Sequence, residues 1–173
     1  MKSVSNEIKR KLRAQTACIN WTTVAIACGA AILVGILFAI NGVNAKLFKD
    51  MIKPACALPA WLIIPLFAIA VCALTFSCVC VLSSPAKLRP KQQKIMPVLY
   101  FAALALSYIW IPLTYKAAAF FASFIVCVIL LAILCVIYTL IARTEKLASV
   151  MLIVFAVWAA YLTYLSIGLF FVN

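Results

Sequence analysis

Five long apolar runs, separated by short polar stretches, account for most of this 173-residue chain: Cys18 to Ile40, Pro59 to Leu82, Met96 to Tyr115, Ala117 to Ala142 and Leu147 to Val172. A helix that crosses a bilayer needs roughly 20 consecutive apolar residues, and each run meets that length. The pattern predicts an all-α membrane protein, a bundle of five transmembrane helices, with residues 1–173 forming a single domain. Pro59 suits the first position of a helix, where a missing N–H costs nothing. Pro65, one turn later, is placed to bend the second span. The third and fourth runs meet at Lys116 with almost no loop, which makes them antiparallel neighbours. Ala27, Ala31 and Gly35, spaced by four, give the first span a small-residue stripe for close helix packing.

Composition supports lipid as the solvent. With 69% hydrophobic and 10% charged residues, the chain could not cover the surface of a water-soluble domain of this size. The first run exceeds the usual length of a signal-peptide core and has no clear small-x-small cleavage site, so it is read as a retained helix. No internal repeat is evident, which argues against transporter folds built from inverted repeats.

A net charge of +12 raises the question of nucleic acid, and position answers it. The charged residues flank the runs, as expected for a protein held between membrane surfaces, and no nucleic-acid partner is predicted. Eleven basic residues fall on one side, in the N-terminal tail, in the second loop (Lys87 to Lys94) and at Arg143 and Lys146. Four fall on the other: Lys46, Lys49, Lys53 and Lys116. The bias places the N-terminus in the cytoplasm.

Seven of the eight cysteines lie in or at the edge of apolar runs, where a thiol behaves as a small hydrophobe. Cys78 and Cys80 point about 200° apart on a helix and have no His or carboxylate nearby, so no metal is expected. No histidine and no intramembrane carboxylate is present to serve as acid, base or proton relay, which weighs against hydrolysis and ion-coupled transport. Aromatic and weakly polar groups remain. Trp110 shares a face with Ser107 and Thr114, and Trp158 shares one with Phe155, Tyr161 and Leu165, faces suited to a flat hydrophobic ligand. Trp21 and Trp61 sit near span ends, where tryptophan commonly anchors at the interface.

Three segments carry a family likeness: Leu47 to Phe67, Ser107 to Tyr115, and Arg143 to Asn173. They resemble the TspO/MBR family, the tryptophan-rich sensory proteins and translocator proteins. In that family a first-loop Tyr, a Lys-Pro, a Pro-Pro and a Trp lead into the second helix. Phe48, Lys53-Pro54, Leu58-Pro59 and Trp61 stand at those places. The third-helix signature Asn-Phe-x-Trp-x-Pro-Leu-Phe-Phe reads Ser107-Tyr108-Ile109-Trp110-Ile111-Pro112-Leu113-Thr114-Tyr115. The last helix follows Arg143-Thr144-Glu145-Lys146-Leu147-Ala148 and carries Trp158 to Ser166 in place of Trp-x-x-Phe-x-x-Tyr-Leu-Asn. Departures are Phe67 for a tryptophan, Leu58 for a proline, Ser107 and Ser166 for asparagines, and Val126 for an acidic residue.

The resemblance implies a five-helix bundle, commonly a homodimer, with a site under the first loop for porphyrins and related tetrapyrroles, synthetic ligands or sterols. It nominates Phe48, Trp61, Phe67, Val71, Ser107, Trp110, Trp158 and Leu162 as lining residues, with Lys46, Lys49 or Lys53 available to porphyrin propionates. No cofactor is expected. Sensing, regulation or translocation is the leading expectation and a bacterial plasma membrane the expected host. A porphyrin-degrading enzyme, with Trp158 in the chemistry, is the rival; a small transporter or assembly partner is the third. The family's sterol motif is missing after Tyr164, and Val136-Tyr138-Arg143 meets the same loose pattern only as chance allows.

Overall fold

A computed structural model describes residues 20–43, 52, 54, 57–83, 90–142 and 144–173, without the side chains of residues 39–43, 60, 61, 90 and 91. Its five helices are α1 (Trp21–Val43), α2 (Ala60–Ser83), α3 (Pro90–Tyr115), α4 (Phe120–Ile141) and α5 (Lys146–Val172). All five are long and apolar enough to cross a membrane, and no strand occurs among the described residues. At 1.5 Å per residue the helices are about 33–40 Å long, enough for a hydrocarbon core of about 30 Å.

The boundaries follow local chemistry. The carbonyl of Pro59 accepts from the N–H groups of Leu62 and Ile63 (2.9 and 3.3 Å), so this proline caps α2. α3 starts at Pro90 rather than near Met96, because proline is favoured at a first helical position and Gln92 and Gln93 extend the turn readily. Lys91 and Lys94 therefore stand on the first turns of α3 and not in a loop. The α3–α4 connection is closed by Lys116 and Ala117 donating to the Pro112 carbonyl, both at 3.0 Å. Ala118 takes a φ of 50° there, the cost of reversing direction in so few residues.

Neighbour contacts run around the bundle in the order α1, α2, α5, α4, α3 and back to α1, with α2 also touching α3. α1 is the least buried of the five. Its small-residue stripe packs inside the molecule, since a Cβ added at Gly35 would come within 2.8 Å of Phe67 Cε1. Trp21 is 58% exposed at the start of α1, as an interfacial anchor would be.

Apolar helices gain little hydrophobic drive from associating in lipid, so packing and interhelical hydrogen bonds fix the arrangement. Ser77 Oγ donates to the Ala148 carbonyl (2.8 Å) and pairs with Tyr100 Oη (2.7 Å), joining α2, α3 and α5. Tyr108 Oη donates to the Ala31 carbonyl (2.7 Å), joining α3 to α1. Toward the other end of the bundle, Trp110 Nε1 donates to Ser166 Oγ and Thr114 Oγ1 to Ser123 Oγ, tying α3 to α5 and α4. Among the described residues no group of His, Cys, Asp or Glu side chains could hold a metal ion.

Candidate functional site

Inside the ring, α2 contributes Ile63, Ile64 and Phe67, α3 contributes Trp110, Ile111 and Tyr115, and α5 contributes Trp158. The spacing on α2 is that of one helical face, which turns the aromatic ring of Phe67 toward Trp158. Their ring centroids lie 6.3 Å apart at 51°. Tyr161, three residues on, packs against Trp158 at 5.5 Å. Trp110 meets Tyr115 edge-on, at 5.5 Å and 83°. The space these side chains enclose is only about 10 Å³, at the lower limit for a single water.

The two tryptophans differ in their polar atoms. Trp110 Nε1 donates to Ser166 Oγ at 2.8 Å, while that hydroxyl donates to the Leu162 carbonyl at 2.9 Å. The pair is thus closed on itself. Trp158 is 7% exposed, and its indole N–H finds no acceptor among the described residues. A buried donor without a partner costs about 1–3 kcal/mol, so it marks the position in this site that an acceptor would improve.

The end of the first loop is strapped across α5. Leu58 N–H donates to Tyr161 Oη at 2.9 Å. Pro54 lies so close to Gly168 that a Cβ there would stand 2.9 Å from the proline Cβ. Ile52 N–H donates to Asn173 Oδ1 (3.1 Å), and Asn173 Nδ2 returns a hydrogen bond to the Ile52 carbonyl (3.0 Å). Since Tyr161 packs on Trp158, the strap and the aromatic cluster are in continuous contact.

Of the eight nominated lining residues, Phe67, Trp110 and Trp158 border the enclosed space. Val71, Ser107 and Leu162 are fully buried in the surrounding core, and Ser107 Oγ is spent on the Leu104 carbonyl of its own helix. Trp61 lies on the first turn of α2, its side chain outside the described residues, as are Phe48, Lys46, Lys49 and Lys53. Ile63, Ile64, Ile111 and Tyr115 were not singled out in the sequence. Helical spacing from Phe67 was the available signal for Ile63 and Ile64; Ile111 directly follows Trp110 and shares no face with it by spacing.

The arrangement offers apolar and aromatic surface, one free N–H and no charged group among its lining residues. Its lining residues supply no acid, base or nucleophile of ordinary strength, and in this closed arrangement the space of about 10 Å³ admits no more than a single water. The TspO/MBR family model matches residues 21–172 of the chain. No curated protein matches it.

Proposed function

The chain belongs to the TspO/MBR family, and from that premise we propose that it binds tetrapyrroles of the porphyrin or heme type, or other flat hydrophobic ligands, between α2, α3 and α5. Family membership and five membrane-length helices make it a multi-pass membrane protein with a ligand-binding or translocator role. The finer reading rests on one observation: the buried Trp158 indole N–H has no acceptor among the described residues and lies in a cluster of aromatic rings. In the closed form the enclosed space is far below the roughly 300 Å³ or more that small-molecule sites occupy. Entry therefore requires the Phe67 and Trp158 rings to part and the strap over Tyr161 to lift. The bound ligand places an acceptor atom against Trp158 Nε1 and its ring faces between the aromatic side chains. The protein then acts as a sensor, regulator or translocator, as a homodimer in a bacterial plasma membrane, with its N-terminus in the cytoplasm.

Thermal stabilisation in detergent across protoporphyrin, heme and a sterol tests this. A ligand that binds only the folded state at 100 times its Kd adds about 2.7 kcal/mol of stability. A shift with porphyrin or heme is expected. If no member of the panel moves the transition at tens of micromolar, the ligand-binding reading falls and the assembly-partner reading takes its place. The porphyrin-degrading alternative has weaker support, because Phe67 stands where the second indole of a tryptophan pair would be.

A further inference from the structure

Phe67 is 5% exposed and reaches from α2 into a notch formed by three other helices. On the α1 side Gly35 offers no side chain: a Cβ there would stand 2.8 Å from Phe67 Cε1 and 3.6 Å from Cδ1. On the α3 side Tyr108 meets the phenyl ring edge-on, with centroids 6.1 Å apart at 69°. On the α5 side Trp158 lies 6.3 Å away, tilted by 51°. A phenyl ring is itself a flat apolar group, so the space beside Trp158 already holds a group of the kind a flat ligand would supply. With that ring in place the remaining volume is about 10 Å³.

The rings around Phe67 are tied by polar bonds. Trp110 Nε1 donates to Ser166 Oγ (2.8 Å), Tyr108 Oη donates to the Ala31 carbonyl (2.7 Å), and Tyr161 Oη accepts from Leu58 N–H (2.9 Å). Trp158 packs on Tyr161, with centroids 5.5 Å apart. A phenyl group has no polar atom to tether and is held by packing. On a helix two χ1 wells are open to it, so the ring can swing without unwinding α2. Pro65, two residues earlier and inside α2, lacks the N–H that would bond the carbonyl four residues back, which lets the helix bend beside Phe67. Moving Phe67 therefore breaks no side-chain hydrogen bond, whereas moving Trp110, Tyr108 or Tyr161 breaks one.

We propose that Phe67 is a resident plug: its ring occupies the place of a ligand's ring against Trp158, and a ligand binds by displacing it. The proposal rests on the reading of this cluster as a flat-ligand site, and adds which side chain limits what that site admits and how tightly. A wall and a plug respond oppositely to truncation. Shrinking a wall removes contacts to the ligand; shrinking a plug removes a competitor. If the displaced form is populated at about one part in ten, the plug weakens apparent binding about tenfold.

Protoporphyrin affinity and association rate would be measured by porphyrin fluorescence in nanodiscs for the unmodified chain, Phe67→Leu and Phe67→Ala. Affinity should rise in that order, by about tenfold for Phe67→Ala and mainly through faster association. Leu74→Ala truncates a fully buried residue two turns further along α2, outside the lining, and should lose stability without gaining affinity. Phe67→Leu keeps most of the apolar volume, which covers the case in which Phe67→Ala does not fold. Benzene is a probe independent of porphyrin, since an engineered apolar cavity of about 150 Å³ admits it. It should raise the thermal transition of Phe67→Ala and leave that of the unmodified chain unmoved. Affinity falling along the series, an equal gain in Leu74→Ala, or benzene failing to separate Phe67→Ala from the unmodified chain overturns the proposal. If none of the proteins binds protoporphyrin while benzene still separates those two, the tetrapyrrole reading falls and the plug stands.

Discussion

Two buried tryptophans in one cluster, one with its N–H paired and one with no acceptor among the described residues, make a matched pair for mutation. Trp110→Phe and Trp158→Phe remove the same atoms from sites of similar burial, 2% and 7% exposed, so their packing losses nearly cancel when compared. The polar terms do not cancel. Trp110→Phe gives up the hydrogen bond to Ser166, worth about 0.6–1.5 kcal/mol in a membrane protein. Trp158→Phe removes an unpaired donor and recovers about 1–3 kcal/mol of desolvation cost. Taking the lower ends, Trp110→Phe should be the more destabilising by about 1.6 kcal/mol, roughly 15-fold in the unfolding equilibrium. Unfolding by SDS titration in mixed micelles, followed by far-UV circular dichroism, measures the difference, provided the two slopes agree. In the liganded protein the order should narrow or reverse, because Trp158 then has its acceptor. Equal destabilisation of the two variants without ligand would refute the reasoning and mean that Trp158 Nε1 is satisfied after all.

Phe67→Trp restores an indole opposite Trp158, and because Gly35 already sits against the Phe67 ring, overpacking should cost about 1–3 kcal/mol. The same variant should speed loss of protoporphyrin absorbance under illumination, and Trp158→Phe should abolish it. Rapid loss by the unmodified chain that survives Trp158→Phe would place any such chemistry elsewhere. Asn173→Ala deletes both hydrogen bonds to Ile52, a local loss of about 1–2 kcal/mol, and should quicken proteolysis in the first loop about tenfold with little change in global stability; unchanged cleavage would mean the strap is held by other contacts. For topology, Cys56 should react with an impermeant maleimide from outside the cytoplasm, and a cysteine introduced by Ser84→Cys only after permeabilisation. The reverse pattern would invert the orientation and leave the five helices standing.

Span number and approximate limits were legible in the sequence because lipid imposes them: each helix must be about 20 residues of uninterrupted apolar character, and charge can only flank it. The family likeness was legible too, carried by Lys53-Pro54, Trp110 with Pro112, and Trp158 in order along the chain. The start of α3 was missed because Pro90 to Lys94 reads as a polar loop by hydropathy, although proline at the first position and the glutamines after it suit a helix. Which face of each helix turns inward was not written in the pattern, since helices apolar all round present similar chemistry to lipid and to one another. Only tertiary structure sets Phe67 against Gly35 and Trp158, turns Trp110 toward Ser166, and leaves the Trp158 N–H without an acceptor among the described residues. The size of the site is likewise a tertiary matter: the same aromatic residues can enclose a ligand or close on each other, and the choice between about 10 Å³ and a usable cavity depends on how three helices and one strap pack.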